Sequence, residues 1–182
     1  MQRLLFIIFI FAFTLCNAQK PNVPKCKVEI YLLNKYISSL DTIHKMVKSF
    51  TAQKEDLQDT AFIKDSEFVS YTIKRIKVEN GKQRSSTREE HFIEVLNPLT
   101  EKLKNLNLAL CCGKQFAFVV NGEIAYCGYF WNNVSSFAPM AVMAFGIDNQ
   151  IRLQYGFKGQ KDPRNNSILL DCFRQRNALI FE

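Results

Sequence analysis

A chain of 182 residues with 24 Lys and Arg against 17 Asp and Glu, a formal net charge of +7, is one domain's worth by length and basic without being extreme. Its 47% hydrophobic content excludes a disordered chain, and 7 glycines and 5 prolines exclude collagen. No stretch after residue 18 is long and apolar enough for a membrane helix, which excludes a polytopic membrane protein.

Residues 1–18 read as a secretory signal: Arg3 in a short basic lead, the apolar run Leu4–Cys16, then the small Ala18 before Gln19. That run spans roughly 20 Å as a helix, short of the roughly 30 Å hydrocarbon core, so a retained anchor is disfavoured. Lipidation at Cys16 would need a small residue before it, where Leu15 stands, so cleavage after Ala18 and export to a periplasm or medium fit better. The expected mature chain has 164 residues, with 23 Lys and Arg against 17 Asp and Glu. It keeps Cys26, Cys111, Cys112, Cys127 and Cys172, and an oxidising compartment favours pairing among them. The sequence does not choose the pairs. No CxxC and no close histidine pair points to zinc.

After a lead-in over 19–25 that holds Pro21 and Pro24, Cys26–Leu33 reads as a first strand. Ile37, Leu40, Ile43, Val47 and Phe50 recur at helical spacing behind Ser38 or Ser39, which predicts a helix with His44 at its edge. Lys54–Asp65 reads as a charged loop. Phe68–Val78 alternates as a strand with a phase slip near Lys74–Arg75 that suggests a bulge. Glu79–Arg88 reads as a polar connection, and His91–Leu96 as a strand. Asn97-Pro98 then opens a helix bearing Leu99, Leu103 and Leu106.

The strongest local signal is Asn121-Gly122 between two apolar runs, the signature of a two-residue hairpin over 113–131. A plain two-residue turn sets Phe116 opposite Cys127 and Phe118 opposite Ala125. Both faces of the hairpin are apolar, so it is either covered on both sides or presents a binding surface. Met140–Gly146 and Ile151–Phe157 read as further strands. Asp162-Pro163 opens a last helix with Ile168, Leu169, Cys172 and Phe173 as its stripe. Together these predict an α+β domain over 26–182: a mostly antiparallel sheet with the Asn-Gly hairpin central, packed against two or three helices.

The segment 113–139 followed by Asp162-Pro163-Arg164-Asn165 resembles a group of small exported bacterial proteins of no assigned function. Their apolar strand, Asn-Gly turn, Tyr-x-Gly-x-Phe-Trp strand and Ser-Ser pair correspond here to Asn121, Gly122, Tyr126, Gly128, Phe130, Trp131, Ser135 and Ser136. Residues 59–74 are similar to a motif of theirs in which a charged turn precedes a Ser-Tyr strand. A more distant likeness is to the periplasmic head domain of SecDF-type translocation proteins, through a helix, a Gly-Lys step like Gly113-Lys114 and an Asn-Gly turn. That likeness implies a sheet packed on helices and no activity.

Catalytic constellations are sparse. Cys111 or Cys112 with His91 would make a thiol–imidazole pair, but no nucleophile elbow or cysteine-protease signature surrounds them. No phosphate-cradling glycine loop is present, and no cofactor is read. Two features are candidates for binding, and the aromatic one is the leading expectation, since a basic loop alone gives only salt-screened attraction. Tyr129, Phe130 and Trp131, with Asn132, Ser135 and Ser136 supplying polar contacts, form a candidate aromatic surface, although the same rings also read as core. Lys74, Arg75, Lys77, Lys82, Arg84 and Arg88 form a basic cluster, +5 over Ile73–Arg88 with only Glu79 opposed, which reads either as a contact for an anionic partner or as a solvated loop. The expectation is an exported, non-enzymatic binding or accessory module for an envelope or extracellular protein. Nucleic acid is not expected, and a thiol-dependent enzyme using Cys111 or Cys112 is the alternative.

Overall fold

The computed structural model describes residues 26–38, 40–41, 46–80, 84–106, 108, 113–132, 140–155 and 161–182. Their strands are β1 (Val28–Leu32), β2 (Leu40–Asp41), β3 (Met46–Val47), β4 (Phe68–Asn80), β5 (Arg84–Val95), β6 (Lys114–Val120), β7 (Glu123–Phe130), β8 (Val142–Ile147), β9 (Gln150–Tyr155) and β10 (Leu179–Phe181). Two helices are described, Thr100–Lys104 and Ser167–Gln175. Eight strands form one sheet in the order β1-β6-β7-β8-β9-β5-β4-β10, and β2 pairs with β3 apart from it. The β7–β8 and β4–β10 ladders are parallel, and the others in the sheet are antiparallel.

This corrects the expected α+β fold. The described molecule is mostly β, a mixed sheet with two helices, and not an antiparallel sheet packed on two or three helices. The helix expected from Ile37 to Phe50 is replaced by the β2–β3 pairing, in which Leu40 lies opposite Val47. Ile37 and Phe50 instead pack against Ala117, Val119 and Leu33 on the outer face of the sheet. Apolar residues every three or four positions satisfy a helix, but they equally suit an irregular segment laid across a sheet that needs covering. The helix expected from Pro98 contracts to five residues, with Leu99 buried just before it.

One apolar cluster runs through the sheet from edge to edge. Val28, Ile30, Phe116, Phe118, Phe130, Val142, Leu153, Ile93 and Tyr71 all face it, with Leu169, Cys172 and Phe173 of the C-terminal helix. Strands from opposite ends of the order share this core because the sheet curls around the helix. Phe173 packs on Tyr71 of β4 with ring centroids 5.1 Å apart, while its neighbour Cys172 is disulfide-bonded to Cys26, just before β1. Phe68 of β4 also reaches Phe118 of β6, at 5.9 Å. The last helix begins later than the Asp162-Pro163 step suggests: Pro163–Asn165 forms a separate 3-10 turn, and the α-helix follows at Ser167, where the Asn166 side chain accepts from Leu169 N–H as the cap. Ile168 is exposed and falls off the stripe.

The Asn121-Gly122 turn is present, with φ of 52° and 80°, as a two-residue turn with both central residues left-handed requires. Its register departs from the plain one. Val120 pairs with Glu123 and Val119 with Ile124, but Phe118 pairs with Tyr126, so Ala125 is an extra residue. One inserted residue moves every later side chain to the other face. Tyr126 and Phe130 therefore join the main core, while Cys127, Tyr129 and Trp131 turn to the opposite face. In β4 the irregularity lies between Phe68 and Ser70, not at Lys74–Arg75, where pairing is continuous.

Candidate functional site

The 79–88 segment expected as a polar connection is largely strand. β4 and β5 pair without interruption from Ser70 with Glu94 to Asn80 with Arg84. The rest of the sheet holds only the base of this hairpin: β9 pairs with β5 over His91–Glu94, and β10 pairs with β4 over Tyr71–Ile73. Beyond those positions Ile76–Asn80 and Arg84–Arg88 have only each other as strand neighbours among the described residues. Among the described residues the two strands thus leave the sheet as a ribbon, and Ile76 to Asn80 alone spans about 13 Å. Thr87 and Ile76 are β-branched and suit it; the Ser85-Ser86 and Asn80-Gly81 steps are what make the same stretch look like a loop in the sequence.

The register also places charges. Lys74 lies opposite Glu90, Arg75 opposite Glu89, and Ile76 opposite Arg88. Arg75 Nε donates to Glu89 Oε1 at 3.1 Å, Arg88 pairs with Glu90, and Lys74 Nζ reaches Glu182 Oε2 at 2.9 Å. Because Glu89 and Glu90 belong to the same arm, its charge over 74–90 is six bases against three acids, +3 rather than the +5 counted to Arg88. Lys77 is exposed and faces Thr87, so it is not neutralised across the ribbon. Of the remaining candidates, Arg84 is in β5 near the tip, and Lys82 lies outside the described residues. The structure therefore strings Lys74, Arg75, Lys77, Arg84 and Arg88 along one ribbon.

The aromatic candidates are placed differently. Tyr129 and Phe130 are fully buried and Trp131 is 4% exposed. The Tyr129 hydroxyl donates to Lys48 O at 3.2 Å and accepts from Gln115 Nε2, and its ring meets Phe50 edge-on at 5.2 Å. Phe130 packs on Phe62 and Phe116. Asn132 is half-buried, and Ser135 and Ser136 lie outside the described residues, as do His44, Cys111 and Cys112. Cys127 is a half-buried thiol that burial pushes above its usual pKa, the reverse of an activated nucleophile.

A second polar cluster was not legible in the sequence, because it is assembled from four elements. Tyr71, His91, Tyr126 and Arg164 are all buried. The Tyr71 hydroxyl and His91 Nδ1 share a hydrogen bond of 2.9 Å. Arg164 donates to both oxygens of Asp162 and to Leu153 O at 2.8 Å. His91 Nε2 makes no hydrogen bond. Burial, reinforced by the Arg164 charge, pushes His91 down to about 4, and burial holds both tyrosines well above their usual range. These four side chains are sealed from solvent. A surface depression of about 420 Å³ beside β1 is lined by Lys27, Glu29, Tyr31 and Asp65 among others, and Lys27 and Tyr31 both bond to Glu29. Among the described residues no three His, Cys, Asp or Glu side chains converge to hold a metal, and no helix is long and apolar enough to cross a membrane. Compared with protein-family models, curated proteins and solved structures, the chain matches none.

Proposed function

We propose that the protein is an exported, non-enzymatic binding module whose contact element is the basic β4–β5 arm, and that its partner presents an acidic surface. The observation that carries this reading is the departure of the arm from the sheet with a net positive charge along it. A projecting ribbon exposes its charges to a partner on more than one side, where a solvated loop flush with the surface would not. The Cys26–Cys172 disulfide suits an oxidising compartment and supports the export part of the reading. No observation favours the thiol-enzyme alternative, whose Cys111 and Cys112 lie outside the described residues.

The test is partner capture from the organism's own envelope by the immobilised mature protein and by Lys82→Glu/Arg84→Glu. The wild type should retain a partner at low salt and release it as salt rises, since exposed charges more than about 10 Å apart are largely screened at 0.1 M. The double variant should retain much less of it while melting at the same temperature. Equal retention by both proteins would remove the arm from the account.

A further inference from the structure

The surface depression beside β1 has a fixed frame. On one side Lys27, Glu29 and Tyr31 alternate with the core residues Val28 and Ile30, and on the other lies the segment 59–66. That segment is tied to the strand. Ile30 N–H donates to Ile63 O at 3.0 Å and Phe62 N–H to Ile30 O at 2.8 Å. Asp65 Oδ1 accepts from Val28 N–H at 2.7 Å and from Arg176 Nη2 at 2.8 Å. Glu29 is only 9% exposed, yet it lines the depression. The Lys27 ammonium and the Tyr31 hydroxyl both donate to its Oε2, at 2.9 and 3.1 Å. Its Oε1 has no partner among the described residues and is not sealed from solvent. On the other wall Asp59 and Thr60 are exposed, and among the described residues their side chains are unpaired.

The charges narrow the ligand. The carboxylates of Glu29, Asp59 and Asp65 turn away a phosphate or other anion, and the ammonium groups of Lys27 and Lys64 turn away a cation. An apolar ligand gains little from so polar a lining. A neutral ligand whose hydroxyls donate to carboxylates and accept from ammonium groups meets no such conflict. We propose that the depression binds a saccharide, with Glu29 Oε1 and Asp59 accepting from its hydroxyls and Lys64 and Thr60 donating to them. Its volume of about 420 Å³ lies in the range of small-ligand pockets, about 300–1,000 Å³. The site uses no residue of the basic arm and stands independently of it.

The test is a titration of backbone amide chemical shifts with maltose, cellobiose and diacetylchitobiose, with lysine amide and inorganic phosphate as charged comparisons. At least one disaccharide should shift the amides of Lys27–Tyr31 and Asp59–Ala61 together, with millimolar affinity. Asp59→Ala, which removes an exposed side chain with no partner to lose, should weaken that binding about tenfold, as loss of hydrogen bonds to a charged group does. Glu29→Gln should weaken it as well, and Lys82→Glu/Arg84→Glu should bind as the wild type does. Shifts at these amides from lysine amide or phosphate, and none from the sugars, would overturn the proposal in favour of an ion site of that sign. No shift there with any disaccharide, or sugar binding unchanged in Asp59→Ala, would also overturn it.

Discussion

His91 is wholly buried against Tyr71, with Arg164 close enough to disfavour a second positive charge. The imidazole stays neutral in the folded protein until about pH 4, with Asp162 and Glu89 only partly offsetting that shift. In the unfolded chain it protonates near its ordinary value of about 6.5. Between those two values the unfolded state binds more protons, so stability falls as pH drops from about 6.5 and the loss is complete near 4. A displacement of that size corresponds to roughly 3 kcal/mol. Urea unfolding across this window should show that loss in the wild type and a much shallower slope in His91→Phe, which keeps a ring in the space. Equal slopes would mean that His91 is not held neutral by the fold. The sequence carried His91 only as one of two histidines, because nothing in its neighbours announces Arg164, 73 positions away.

At the scale of elements, the β6–β7 hairpin shows what patterning can and cannot supply. The Asn-Gly turn and both strands are legible because turn chemistry and apolar runs are local. The extra residue at Ala125 is not, since alternation of apolar with apolar leaves both registers equally greasy. That single residue decides the fate of Trp131, which lies with Tyr129, Met143 and Phe145 in a cluster on the outer face of the sheet. Gly113, with φ of +59°, passes so close that a Cβ there would lie 2.6 Å from Trp131 Cε3. Trp131→Ala should therefore destabilise the protein by about 3–5 kcal/mol, as large-to-small changes at buried aromatic sites do, read as a lower melting temperature. An unchanged melting temperature would mean the ring is not packed as described and would restore it as a candidate contact. The strand β10 had no signal beyond three apolar residues, too few for a period to show.

Across the whole molecule, two kinds of sequence separation defeat a local reading. The curl of the sheet depends on Cys172 joining Cys26 across 146 positions and on Phe173 meeting Tyr71, neither of which any window of sequence contains. The basic cluster was legible as composition, but its form as a ribbon was not, because Ser, Asn and Gly outweigh Thr87 and Ile76 in any turn-based reading of 79–88. What remains is a curled sheet closed on its helix, from which one element departs. Amide hydrogen exchange tests that departure most directly. Phe116–Val120, in the core, should be among the slowest to exchange. Along the arm, Ile76, whose main-chain groups face β5, should be protected, while Lys77, whose main-chain groups face away from β5 where no described strand lies, should exchange at nearly the rate of an unstructured amide. Lys77 protected as strongly as Ile76 would show that another strand already covers that edge, and would contradict the account.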